Sequence, residues 1–208
     1  AGPRQHDPPA GGLNPRPNDD PKAQEERLHA HKLPAVRAFA RANGLNRIVM
    51  RGGASPTLGI VASGKAYLDL RQALDDLGLD ETSGVRVLKI GMVWPLEPAI
   101  IREFASGLAT IMVVEEKRPL IEAQLRDILY AEQKRPAVIG KTDENSAPLF
   151  PAHGVLEPNQ IAAAIAARLG LSPSADAPIR NQSDLVERVP YFCAGCPHNS
   201  STVLPQGA

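Results

Sequence analysis

An open α/β fold with a mostly parallel sheet is what this sequence predicts, and three observations carry the prediction. Short apolar runs alternate with helical stretches of about ten to fifteen residues through the middle of the chain, the signature of strand–helix–strand crossover units. Some runs, such as Ile111-Met112-Val113-Val114, are apolar on consecutive residues, which suits strands covered on both faces of a sheet. Proline and glycine punctuate the helices where openings and stops are expected.

The elements follow in order. Residues 1–20, "AGPRQHDPPAGGLNPRPNDD", are crowded with Pro and Gly and show no periodicity, which reads as an irregular connector. Asp20-Pro21 supplies an N-cap and a Pro at the first helical position, opening a helical lead-in over 21–44 that passes Leu28, Leu33, Val36 and Phe39. Pro34 is a candidate restart and Gly44 a left-handed stop. The α/β domain proper spans 45–170. Its apolar runs are "LGIVASG", "VRVLKIG", "TIMVVEEK" and "PAVIGK"; its helices are "AYLDLRQALDDLGL", "EPAIIREFASGL", "LIEAQLRDILY" and "EPNQIAAAIAARLG", the last opened by Pro158 and closed by Gly170. Residues 171–184 read as a polar, Pro-containing linker, and 185–208 begin something new that stops short. The chain does not start with Met and ends inside an apparent motif, so both ends read as cuts through a longer polypeptide.

Composition excludes several function classes. The 208 residues carry 23 basic and 23 acidic side chains, a formal net charge of zero with the signs mixed. No basic block of the kind nucleic acid or an anionic membrane would call for is present. No apolar run approaches the roughly 18 residues of a membrane span, and no signal-peptide pattern opens the chain. Two cysteines three positions apart do not make a secreted disulfide scaffold. The expectation is a cytoplasmic protein.

Candidate chemistry is sparse. "GIVASGKA" nearly spells a phosphate-binding loop, but Ala66 stands where a hydroxyl should reach magnesium. Its intervening residues Ile60-Val61-Ala62-Ser63 look like the strand itself, which cannot turn its N–H groups towards phosphates. Glu115 and Glu116 fall at the carboxyl end of a strand, where open sheets bind ligands; with Lys117 and Arg118 beside them, a solvated, ion-paired strand end is the favoured reading. Trp94, the only tryptophan, is expected to pack at a domain boundary.

Cys193-Ala194-Gly195-Cys196 is the strongest signal. A Cys-x-x-Cys turn lets two thiolates face one metal centre, and soft thiolates select zinc or an iron–sulfur cluster over hard cations. Thiol redox chemistry is the other use of such a pair, although Pro197 follows at once where that motif should open a helix after a strand. Two unrelated reduced thiols are the plain alternative.

"CAGCPHNSST" resembles the segment that opens the thiamine-diphosphate-binding domain of the 2-oxoacid:ferredoxin oxidoreductases, and most closely that of the long, fused bacterial indolepyruvate ferredoxin oxidoreductases. "PKAQEERLHAHKLPAVRAFARANGLNRIV", "LGIVASGKAYLDLRQALDDLGLD", "GMVWPLEP" and "VVEEKRPLIEAQLRDILY" are similar to that family in the same order. The resemblance implies that 45–170 is the family's transketolase carboxy-terminal-like domain and that 185–208 begin the thiamine-diphosphate-binding domain. It implies a parent enzyme that oxidatively decarboxylates aryl-2-oxoacids such as indolepyruvate, passing the acyl group to coenzyme A and electrons to ferredoxin. The implied cofactors of that parent are thiamine diphosphate, magnesium and a [4Fe–4S] cluster. Its implied partners are ferredoxin, coenzyme A, the 2-oxoacid and the neighbouring domains of a homo-oligomeric assembly, with neither nucleic acid nor membrane. By the same match Cys193 and Cys196 would be cluster ligands and His198 would lie beside thiamine or substrate, while Pro197 departs from the Gly of several relatives. The segment alone is expected to be inactive. A non-catalytic α/β interaction module carrying half of a structural zinc site is the alternative.

Overall fold

The computed structural model describes residues 7–14, 16–171 and 191–204. These form two units, one on either side of residue 173.

The amino-terminal helices follow the capping logic of their sequence. In α1 (Pro21–Arg27) the Asp20 carboxylate accepts the Ala23 N–H with Pro21 at the first helical position. The chain then widens into a π-helical turn (Leu28–Lys32) before α2 (Leu33–Ala42). The Leu33 N–H donates five residues back, to the Leu28 carbonyl. Pro34 explains the widening, because its ring would collide with the carbonyl four residues before it in a regular α-helix. The helix therefore continues through Pro34 rather than restarting there. Gly44 ends the lead-in at φ +57°, a conformation that costs glycine little.

Five strands form one sheet in the order β1-β3-β2-β4-β5. They are β1 (Arg47–Met50), β2 (Leu58–Ser63), β3 (Val85–Ile90), β4 (Thr110–Val114) and β5 (Ala137–Ile139). β2, β3, β4 and β5 pair in parallel; β1 lies antiparallel on the β3 edge, with an irregularity between Ile48 and Met50. The four runs expected as strands are β2–β5. β1 is an addition, too short to announce itself beside the stronger apolar runs.

Helices cover both faces, which is why consecutive strand residues are apolar. Met112 and Val114 of β4 join Ile60 and Ala62 of β2 in a core under α3 (Gly64–Asp76) and α6 (Pro158–Leu169). Ile111 and Val113 join Val61 in the opposite core under α4 (Pro98–Ala105) and α5 (Ile121–Leu129). Gly59 has no side chain because α4 and the turn after it leave no room: an added Cβ would overlap Leu108 and Phe104. Gly170 closes α6 at φ +65°, and Glu157 with Gln160 forms a capping box at its start.

Among the described residues, one buried side chain is only half satisfied. Asn46, 7 % exposed, accepts the Gly91 and Met92 N–H groups through Oδ1, but its Nδ2 has no hydrogen-bond partner. The two N–H donors fix the amide's orientation, since only an oxygen can face them. A buried donor left this way costs about 1–3 kcal/mol.

Candidate functional site

The topology opens a crevice at the carboxyl end of the sheet. From β2 the chain crosses through α3 to β3 on one side; from β3 it crosses through α4 to β4 on the other side of β2. The connections leaving β2 and β4 therefore diverge, and such switch points are where open α/β sheets hold ligands. A cleft of about 420 Å³ lies there, between Ser63–Lys65, Val93 and the Glu115–Leu120 segment.

The two adjacent acids in that cleft do different work. Glu115 is 6 % exposed, and its carboxylate accepts the backbone N–H groups of Leu120, Ile121 and Glu122 at the start of α5. A carboxylate at a helix N-terminus is favoured by orphan donors and the helix dipole together. The expected solvated, ion-paired end is therefore wrong for Glu115, which is a buried cap. Glu116 fits the expectation: it pairs with Lys65 at 3.3 Å and accepts the Leu156 N–H. Lys65 also pairs with Asp69 at 2.6 Å and donates to the Leu156 carbonyl. Lys141 reaches the main-chain oxygens of Glu115 and Pro151. Burial pushes its ammonium below the usual lysine range, against the pull of Glu115 and Glu122. Lys117 stands at φ +60° and donates to the Gly154 carbonyl. The lysines here clamp the 151–157 loop over the sheet.

The near-match to a phosphate loop is absent in three dimensions as well. The strand runs through Ser63 and α3 starts at Gly64, with no side-chain cap from Ser63. Lys65 is occupied by carboxylates rather than turned to an open cradle. Trp94 lies after β3 and is 56 % exposed.

The Glu116 carboxyl is held below the usual carboxylate range, first by the Leu156 N–H and then by Lys65. A depressed folded-state pKa contributes stability that is present above the unfolded value and lost as pH falls through the folded one. Glu116→Gln is thus expected to make thermal stability fall less steeply below about pH 4, as read from melting curves at stepped pH. Identical acid limbs for the two proteins would contradict this.

Residues 191–204 form their own small turn and helix. Gly195 at φ +80° lets the chain fold back so that the Cys196 N–H donates to the Cys193 carbonyl, 3.0 Å away. The Asn199 side chain donates to the same carbonyl. Cys193 is exposed, Cys196 half-buried, and neither is in a disulfide. The His198 ring, at the head of α7 (His198–Ser201), stacks on Phe192 and places Nδ1 3.2 Å from Cys196 Sγ. All three residues singled out in the sequence thus share one turn. Among the described residues no group of three or more His, Cys, Asp or Glu side chains is arranged to hold a metal.

A family profile described as an indolepyruvate oxidoreductase domain matches residues 48–189, which takes in all but the first residue of β1 and the rest of the sheet. The chain belongs to the indolepyruvate oxidoreductase domain family. A curated relative, the indolepyruvate oxidoreductase subunit IorA of Methanothermobacter thermautotrophicus, is 33% identical over 171 residues, covering 81% of this chain and 26% of the relative. Among solved structures, a 2-oxoglutarate:ferredoxin oxidoreductase from Magnetococcus marinus, with 2-oxoglutarate, coenzyme A and succinyl-CoA bound, aligns at a TM-score of 0.45 and 17% identity. That alignment covers 74% of this chain and 24% of that one. A split-gene transketolase aligns at 0.43 and 16% identity, over 62% of this chain and 42% of that one. The chain spans about a quarter of the length of the curated relatives it matches. No described helix is long and apolar enough to cross a membrane.

Asn46 and the Glu97 cap of α4 escaped sequence reading. Glu97 accepts the Ala99 and Ile100 N–H groups, a role its position before Pro98 signals. Asn46 had no signal, because its partners are 45 and 46 residues further on, at the exit of the neighbouring strand β3.

Proposed function

We propose that this chain is the α/β segment, with the start of a thiamine-diphosphate-binding domain, of a longer oxidoreductase that oxidatively decarboxylates aryl-2-oxoacids such as indolepyruvate. Coenzyme A takes the acyl group and ferredoxin the electrons, in a cytoplasmic, homo-oligomeric parent. Membership of the indolepyruvate oxidoreductase domain family carries the reading. On this reading 1–20 are a connector, 21–44 the helical lead-in, 45–170 the scaffold domain, 171–184 a linker and 185–208 the opening of the cofactor domain. All of 171–184 except Leu171 lies outside the described residues.

The tail fits half of an iron–sulfur site. Cys193 and Cys196 supply two thiolates on one tight turn, and a [4Fe–4S] cluster takes four such ligands; the others come from beyond Ala208. A cluster held there would supply a one-electron acceptor, and thiamine diphosphate with magnesium would supply stabilisation of negative charge at the substrate carbon. The protein's own contribution here is positional. Gly195 lets the turn close, Asn199 holds the Cys193 carbonyl, and the Phe192 ring fixes the His198 plane. With Nδ1 beside Cys196 Sγ, His198 would have its Nε2 left to face thiamine or substrate.

A structural zinc half-site in a non-catalytic interaction module is the second reading, favoured by the close thiol–imidazole pair, since zinc accepts sulfur and nitrogen ligands together. Metal analysis of the longer protein, prepared anaerobically, separates the two. The Cys193→Ser/Cys196→Ser variant is expected to lose about one [4Fe–4S] equivalent of iron and acid-labile sulfide, together with indolepyruvate turnover. Unchanged iron with a loss of zinc would overturn the cluster assignment. The 208-residue chain alone, mixed with thiamine diphosphate, magnesium, coenzyme A, ferredoxin and indolepyruvate, should give no turnover; activity from it would overturn the division into domains.

A further inference from the structure

A second cleft lies away from the switch point, between the end of α2, strand β1 and α4. Its volume is about 430 Å³, within the range of small-molecule sites. Three arginines from separate places line it: Arg41 on the last turn of α2, Arg47 at the start of β1 and Arg51 just beyond its end. Arg41 is already engaged, donating to Glu97 at 3.1 Å. Arg47 and Arg51 have no side-chain hydrogen bond or ion pair among the described residues; Arg51 uses only its backbone N–H, towards Glu81.

The wall also contains Asn46, whose Nδ2 is the one buried side-chain polar atom without a partner among the described residues. Its Oδ1 is committed to Gly91 and Met92, so what remains is a buried donor. On the acidic side are Glu97 and Glu103. Glu97 is spent, accepting two N–H groups of α4 as well as Arg41. Glu103 alone opposes an incoming anion. Unsatisfied donors therefore exceed unsatisfied acceptors around one cavity.

We propose that this cleft binds the phosphate group of a small phosphate ester, gripped by Arg47 and Arg51. Guanidinium forks match phosphate oxygens two at a time. Guanidinium forks arriving from the start of β1 and from beyond its end suit a tetrahedral acceptor better than a planar carboxylate, which offers its oxygens in one plane. The site is built on β1 and the lead-in and uses no residue of the tail, so the proposal stands whether or not the tail holds a cluster.

Inorganic pyrophosphate is the probe, titrated into the 208-residue chain by calorimetry and by ¹H–¹⁵N spectra that include side-chain amide and arginine Nε signals. The expected result is saturable binding that shifts the Asn46 side-chain amide and the Arg47 and Arg51 Nε resonances. Arg47→Gln/Arg51→Gln should weaken it at least about tenfold, the loss of two charge-assisted contacts. Glu103→Gln, which removes the opposing charge at an exposed position, should tighten it by about twofold to fivefold. No saturable binding, shifts confined to the switch-point cleft, or an unaffected double variant would overturn the site. Equal affinity for malonate would overturn the assignment to phosphate.

Discussion

Replacing Glu115 by Ala is expected to lower the free energy of unfolding by about 3–5 kcal/mol, among the largest effects of any single substitution in the domain. The carboxylate is buried and satisfies three consecutive N–H groups, those of Leu120, Ile121 and Glu122. Deleting it strands three donors at the N-terminus of α5, where water has little access, and opens a void beside Ile121. Hydrogen bonds to a charged acceptor contribute about 1.5–3 kcal/mol each when measured singly, and three on one carboxylate do not add fully. Glu115→Gln should cost less, because one oxygen remains to accept while the new amide nitrogen opposes a donor. Urea denaturation checks both: the midpoint should fall with the slope unchanged. A loss under about 1 kcal/mol for the Ala variant would mean that water reaches those donors after all. The neighbouring Glu116, exposed enough to sit in an ion pair with Lys65, should tolerate the same change with a far smaller loss.

That contrast between adjacent glutamates marks where sequence reading stops. The strands β2 to β5 and the four helices between and after them were legible because burial on both faces demands continuous apolar runs, and because Pro98, Pro158 and Gly170 stand where caps require them. The lead-in was legible from Asp20-Pro21 and Gly44. What was not legible depends on distant partners. "VVEEK" gives no sign that Glu115 turns inward to an N-terminus five residues on while Glu116 turns to Lys65, fifty-one residues back. The π-turn before Pro34 could be anticipated only as an irregularity, since a proline ring can be accommodated by a break or by a wider turn. β1 has four residues and a register shift, too little for a periodic signal. Cys193 and Cys196 stood out because a Cys-x-x-Cys is a local spacing, and His198 only through the family resemblance; the structure brings His198 Nδ1 to 3.2 Å from Cys196 Sγ. Arg41, Arg47 and Arg51 read as scattered surface charge; they meet only because β1 folds back antiparallel beside β3.

Gly91→Ala is the second substitution with a large expected effect, about 3 kcal/mol of destabilisation, for a reason opposite to that at Glu115. Nothing is removed; one methyl group is added where main chain already stands. The Cβ would overlap the Leu45 carbonyl oxygen, and backbone cannot rotate away as a side-chain tip can. The clash falls beside the Gly91 N–H that donates to Asn46 Oδ1 at 3.0 Å, so relieving it pulls Leu45 and Asn46 off the end of β3. Loss of the Asn46 contacts to Gly91 and Met92 should then unzip β1 from its edge, while the parallel core of β2, β3 and β4 keeps its pairing. Amide exchange tests this locally: protection should fall at Arg47–Met50 and persist at Thr110–Val114. Gly84→Ala is the control, because its φ of +74° is strained for alanine but nothing stands within 4 Å of the new Cβ. Backbone strain alone costs about 1 kcal/mol, so the Gly84 variant should be the milder of the two. Were the two variants equally destabilised, conformation rather than close approach would account for Gly91. The same displacement would move Asn46 and Arg47 out of the arginine cleft, so pyrophosphate binding should weaken in Gly91→Ala and survive in Gly84→Ala.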